Sequence, residues 1–210
     1  PEGMRPTVLA LRCPGGEMHP APPQPRWLCY GDSIAEGWCA SQPATAWAHV
    51  VAREHDLDVV NLGYAGAARG EVPSAQEIAS LDADLISVAH GTNCWMRTPF
   101  SSELFAASLR VFLEIVRQGH PRTPIVAISP LLRRDAENTP NLLGARLSDL
   151  REAFEATVKE RQEQGDERLR LVPGRDLVAA EHLPDGIHPD DTGHAAMARA
   201  LGPILAAAID

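Results

Sequence analysis

From Arg26 onward, short apolar runs alternate with longer stretches of helical periodicity, and this alternation restricts the chain to few architectures. The apolar runs fall at 27–30, 58–62, 84–89, 124–129 and 169–172. Helical stretches are expected between and after them, over about 43–55, 74–80, 99–118, 141–164 and 190–208. The third repeats Leu104, Phe105, Leu109, Phe112, Leu113 and Val116 at helical spacing, with Gly119 as a stop signal and Pro121 beyond it. Five strands alternating with helices imply a parallel sheet with helices on both faces, so the expectation is an α/β domain with a five-stranded parallel sheet. A sheet of this kind binds its ligands beyond the carboxyl ends of its strands.

Residues 1–26 form a different zone. Seven prolines fall there, with one β-like run, Thr7 to Leu11. Each proline ring fixes φ and removes a backbone donor, so the segment reads as an extended arm. It is either a surface arm of the main domain, which would span 27–210, or the remnant of an upstream module.

The chain has 210 residues, enough to bury a two-sided core, and 44% of them are hydrophobic. No apolar run approaches the roughly 20 residues that a membrane span needs. The net charge is −9 and there is no basic cluster, which argues against nucleic acid as a partner. Cys13, Cys29, Cys39 and Cys94 lack zinc-site spacing, and a domain of this size needs no staples, so unpaired thiols are expected. No signal-peptide pattern is present. A cytoplasmic location is favoured, with room for a targeting signal upstream.

The residues able to do chemistry cluster at the predicted strand ends. Gly31-Asp32-Ser33 follows the first strand, Gly63-Tyr64-Ala65-Gly66 the second and Gly91-Thr92-Asn93 the third. Asp185-Gly186-Ile187-His188 lies between the fifth strand and the last helix. Acyl transfer needs a nucleophile, a base, a group that orients the base, and donors for the oxyanion. Ser33, at a strand-to-helix turn, is the candidate nucleophile, and its own N–H faces the developing charge. His188 is the candidate base and Asp185 its orienting carboxylate. The Gly66 N–H and the Asn93 amide are candidate oxyanion donors. Each also has a plainer reading: an Asp-Ser helix cap at 32–33, a glycine turn at 66, a loop-bonding Asn at 93. His194, early in the last helix, and His90, beside Gly91, are rival histidines. The first is expected to pack or cap, the second to support the site from behind.

These four blocks, Gly31-Asp32-Ser33, Gly66, Gly91-Thr92-Asn93 and Asp185-x-x-His188, resemble the signature blocks of the SGNH, or GDSL, hydrolases. The resemblance covers about residues 27–208. It implies a flavodoxin-like three-layer α/β/α sandwich. It also implies Ser33, His188 and Asp185 as a catalytic triad, with the Ser33 N–H, Gly66 N–H and Asn93 amide as the oxyanion hole. The third block departs from the family pattern at Cys94, where Asp is common. The second has Ala-Gly-Ala where a more polar neighbour is frequent. The stretch from Ser108 through Asp149 is similar to a subgroup in which an N-terminal β-sandwich module precedes the hydrolase domain.

The function expected is that of a serine esterase acting on small acyl esters through an acyl-serine intermediate, with no metal or organic cofactor. The alternative is an acyltransferase that passes the acyl group to a small-molecule or natural-product alcohol. Ile34, Trp38, Tyr64, Arg69, Trp95, Met96 and Ile187 are candidate pocket-wall residues. Oligomeric state is not legible in the sequence.

Overall fold

The computed structural model of the chain describes residues 7–10 and 12–209. Five strands form one sheet: β1 (Arg26–Gly31), β2 (Asp58–Gly63), β3 (Leu85–Ala89), β4 (Ile125–Ile128) and β5 (Leu169–Val172). The order is β2-β1-β3-β4-β5 and every pairing is parallel. In register, Trp27 lies beside Val59 on one side and Leu85 on the other. The strand order reverses between β1 and β3, and the loops that leave their carboxyl ends diverge there and open a crevice.

Side chains alternate across the sheet and build two cores. Leu28, Tyr30, Ile86, Val88, Ile125 and Ala127 face one layer of helices. That layer holds α3 (Val72–Ser80), α4 (Ser102–Gly119) and α5 (Leu147–Glu163). Trp27, Cys29, Leu85, Val126 and Ile128 face the other. There lie the short α1 (Ser33–Glu36), α2 (Trp47–Glu54) and α6 (Asp191–Ile209). The expected α/β/α sandwich with a five-stranded parallel sheet is the observed fold. Ser87 is a polar residue in a buried strand, and its hydroxyl accepts the Trp27 indole N–H at 2.9 Å, so neither group is left unsatisfied.

Several local expectations shift. Leu104 is half exposed, because the buried stripe of α4 runs through Phe105, Leu109, Phe112 and Val116 and leaves Leu104 at its edge. Gly119 ends α4 without a left-handed φ; a Cβ there would lie 2.1 Å from the Ala79 carbonyl oxygen, so glycine serves the close approach of α4 to α3. The helix expected from 43 begins at Trp47, after a separate 3-10 turn over Pro43–Thr45. The helix expected from 141 begins at Leu147. The Asn141 carboxamide accepts the N–H groups of Leu143 and Ala145 and holds that segment as a loop. Thr7–Ala10 form no strand and are exposed, and Leu11 lies outside the described residues. Cys29 and Cys94 are buried, and no disulfide joins any of the four cysteines among the described residues.

Candidate active site

The first strand ends at Gly31 and the chain turns at once into α1. Asp32 caps that helix, its carboxylate accepting the Ile34 N–H at 3.0 Å. Burial pushes the Asp32 carboxyl up to about 6, against the opposing pull of that hydrogen bond and of nearby His188. Ser33 is the first residue of α1 and is 6% exposed. Its backbone N–H has no partner among the described residues. The plain helix-cap reading of Asp32 is thus fulfilled, and the cap is what presents Ser33 at the crevice.

The loop before α6 brings its histidine to this serine. The Ser33 hydroxyl lies 2.7 Å from His188 Nε2, and His188 Nδ1 lies 2.6 Å from Asp185 Oδ2. The second Asp185 oxygen accepts the backbone N–H groups of Ile187 (2.9 Å) and His188 (2.7 Å). An acceptor-only carboxylate beside Nδ1 places the imidazole proton there, which leaves Nε2 to accept the serine proton. Burial raises the Asp185 carboxyl. The hydrogen bonds from the His188 ring and from the His188 and Ile187 amides outweigh it and hold the group below the usual carboxylate range. Asp185 is therefore ionised at neutral pH.

Two further loops complete the ring around Ser33. Gly66 sits at φ +68, and its N–H has no partner among the described residues. A Cβ at Gly66 would meet nothing within 4 Å, so the left-handed backbone demands glycine there and the space does not. Asn93 is buried in a 3-10 turn after β3, and its amide nitrogen donates to the Ala68 carbonyl at 3.3 Å. That single bond leaves one amide hydrogen for another acceptor. Ser33, Gly66, Asn93 and His188 line one cleft of about 300 Å³.

The pocket-wall candidates divide. Trp38, Met96 and Ile187 line the cleft. Trp38 also stacks on His188, with ring centroids 5.8 Å apart. Ile34 instead points into the core beside Trp47, because the first turn of α1 turns its apolar side to the sheet. Tyr64 packs against the opposite core and donates its hydroxyl to Glu77. Trp95 lies behind the cleft, its indole N–H bonded to the Thr139 carbonyl and its ring under the Arg133 guanidinium. Arg69 turns back to the Ala67 carbonyl.

The rival histidines are occupied elsewhere. His194 is fully buried; its Nδ1 accepts the Trp47 N–H, and its Nε2 donates to the Trp38 carbonyl at 3.0 Å. It holds the Trp38 segment against α2. His90 is caged by Tyr30, Phe105, Phe112 and Phe154, at centroid distances of 5.6 to 5.9 Å. Neither of its ring nitrogens has a hydrogen-bond partner among the described residues. Burial pushes its pKa down to about 3.

His90 therefore carries a stability prediction. Between an unfolded pKa of about 6.5 and the folded value, the unfolded chain binds a proton that the folded chain refuses. Stability then falls as pH falls, by up to about 1.4 kcal/mol per pH unit. His90→Phe removes this term. Urea unfolding is expected to show the substitution more favourable at pH 5 than at pH 8 by about 2 kcal/mol. An equal effect at both pH values would contradict the buried neutral imidazole.

Three donors near the triad lie close enough together to consider for a metal: Cys39 Sγ, the Asp185 carboxylate and the His188 ring, all within 4.8 Å. A metal there would have to break the 2.6 Å bond between Asp185 and His188. Cys39, Arg97 and Arg133 carry no catalytic or binding signal in the sequence. Arg97 and Arg133 both line the cleft. No local pattern marks them, since Arg133 arrives from the segment after β4 and Arg97 from a turn 64 residues beyond Ser33 in the chain.

A three-layer α/β/α sandwich with a serine, an imidazole and a carboxylate in hydrogen-bonded series at the strand-order reversal defines an α/β domain of serine-hydrolase type. Comparison with known proteins makes this specific. The sequence profile of the GDSL-like Lipase/Acylhydrolase family matches residues 25–206, and the chain belongs to that family. Among solved structures, the salicylyl-acyltransferase SsfX3 from a tetracycline biosynthetic pathway superposes with a TM-score of 0.77 at 29% identity, covering 86% of this chain and 54% of that one. A Bacteroides ovatus ATCC 8483 protein assigned as a GDSL-like lipase superposes at 0.76 with 25% identity, over 89% of this chain and 54% of its own. The chain thus spans about half the length of these two neighbours. A family two carbohydrate esterase from Clostridium thermocellum shares the fold, with a TM-score of 0.68 and 16% identity over 90% of this chain and 65% of that one. No curated protein sequence gives a significant match to the chain.

Proposed function

We propose that the protein transfers acyl groups from small esters through an acyl-Ser33 intermediate, with water as the ordinary acceptor. The observation that carries this reading is the unbroken series Ser33 Oγ, His188 Nε2, His188 Nδ1, Asp185 Oδ2 at 2.7 and 2.6 Å. In the first half-reaction, Ser33 Oγ bonds to the ester carbonyl carbon as its proton passes to His188 Nε2. The carbonyl electron pair moves onto oxygen, which the N–H groups of Ser33 and Gly66 and the Asn93 amide receive. The intermediate collapses, the bond to the alcohol oxygen breaks, and His188 returns the proton to the leaving alcohol. Water then repeats the sequence against the acyl-enzyme. Asp185 stays ionised and holds the imidazolium.

An alcohol acceptor in place of water is the second reading. The 29% identity to an acyltransferase favours it, and the same residues would serve. The two readings differ in which nucleophile reaches the acyl-enzyme. A chain-length series of 4-nitrophenyl esters, run with and without added alcohols, tests both. Free acid as the sole product at every alcohol concentration eliminates transfer, whereas no turnover of any ester overturns the proposal.

The Asn93→Ala variant is expected to lose on the order of a hundredfold to a thousandfold in kcat with KM little changed, because the donor acts on charge that forms only in the transition state. A steady-state comparison with the parent checks this. A thermal melt on the same sample separates it from loss of the Ala68 bond. We further propose that residues 1–26 are a linker from an upstream module, of the β-sandwich kind found in one subgroup of the family. Its proline density, the lack of helix or strand in the described residues before Arg26, and the greater length of two similar structures support this.

A further inference from the structure

We propose that the cleft carries an anion subsite centred on Arg97, so that the preferred ester bears a carboxylate or phosphate group. This rests on the acyl-transfer reading of Ser33 and specifies its substrate class. The protein as a whole is acidic, with a net charge of −9. The residues that line the cleft reverse that sign: Arg97 and Arg133 are among them, and no Asp or Glu is. A neutral ester gives no reason for an uncompensated cation beside a nucleophile's cleft.

The two arginines are held differently. Arg133 is buried and committed. Its Nε and Nη2 bond the two Asp135 oxygens at 2.8 and 3.0 Å, and its plane lies 4.9 Å from the Trp95 ring centroid. Its remaining nitrogen, Nη1, meets only the Met96 sulfur at 3.0 Å, a weak acceptor that a ligand oxygen would improve on. Arg97 is exposed and has no hydrogen bond or ion pair among the described residues. Its backbone sits at φ +57, a conformation that non-glycine residues rarely adopt and that tends to be kept at binding sites. Asp135 neutralises the first guanidinium and leaves the second as the uncompensated charge of the cleft. A planar guanidinium beside the apolar side chains of Trp38, Met96 and Ile187 suits bidentate recognition of an oxyanion.

The anion could sit on the acyl chain or on the leaving alcohol, and two substrate pairs distinguish these. Mono-4-nitrophenyl adipate against 4-nitrophenyl hexanoate places a carboxylate on the acyl end. The acetate ester of 3-carboxy-4-nitrophenol against 4-nitrophenyl acetate places it on the leaving group. In at least one pair, kcat/KM is expected to favour the anionic member by about tenfold at low salt, falling as NaCl is added. Arg97→Gln is expected to bring that ratio close to one, and Arg97→Lys to restore part of it. Ratios at or below one in both pairs, or ratios that Arg97→Gln leaves unchanged, overturn the subsite. The outcome is separable from failure of the catalytic reading. Calorimetric titration of the Ser33→Ala protein with adipate and with 3-carboxy-4-nitrophenol needs no turnover; saturable binding of one anion that disappears in the Ser33→Ala, Arg97→Gln double variant supports the subsite, and no binding of either counts against it.

Discussion

Replacing Ser33 with alanine is expected to lower kcat/KM for 4-nitrophenyl acetate by at least about ten-thousandfold, with the folded structure retained. The loss is large because the hydroxyl oxygen is the atom to which the acyl group bonds in the proposed reaction. Ser33 donates no bond that supports the fold; its hydroxyl meets only His188. The His188→Ala variant is expected to lose a similar amount, and the double variant hardly more than either one, since serine and imidazole act as one unit. Residual turnover would come from the oxyanion donors and from binding alone. Rates for the two single variants and the double variant, with melting curves for each, check the expectation. Unchanged turnover in Ser33→Ala would falsify the nucleophile assignment. Damage of the same size in His194→Ala, at unaltered stability, would mean that the base is misassigned.

The second large effect is expected at Asp185. Asp185→Asn keeps the shape of the side chain and removes the acceptor-only character of the oxygen facing Nδ1. An amide NH₂ placed there would turn the imidazole to the tautomer with its proton on Nε2, which cannot accept from Ser33. A loss in kcat of about ten-thousandfold at neutral pH follows. Asp185 additionally anchors its own turn through the Ile187 and His188 amides. Asp185→Ala should therefore cost more stability than Asp185→Asn. Steady-state rates with urea unfolding of both variants separate the chemical role from the anchoring one.

Much of the sheet and its helices was legible in the residue order. The five apolar runs of β1 to β5 lie within a residue or so of the observed strands, and the central three, β1, β3 and β4, are buried on both faces and so have few ways to be written. Helix starts were less legible. Pro43 and Asn141 each head a helical pattern, yet they form a 3-10 turn and a side-chain-bonded loop. Local hydrogen bonding there outweighs periodicity, which carries no record of it.

The four strand-end blocks, Ser33 among them, could be read from sequence because each is compact and each must sit where the sheet presents it. The cleft walls could not be. Ile34, Tyr64 and Trp95 are apolar or aromatic neighbours of site residues, and one turn of backbone sends each into a core or behind the cleft. Trp38 looks no different in sequence and faces His188 because His194 holds its carbonyl from α6. Arg97 and Arg133 show the same limit from the other side: distant in sequence and unmarked by any pattern, they meet at one cleft. By itself, the sequence determined the parallel α/β layering and the order in which a serine, a glycine turn, a buried asparagine and an Asp–His pair follow the strands. Only the tertiary structure decided which side chains border the serine and what charge they bring to it, because those contacts join loops after different strands and depend on backbone direction, to which residue type is nearly indifferent.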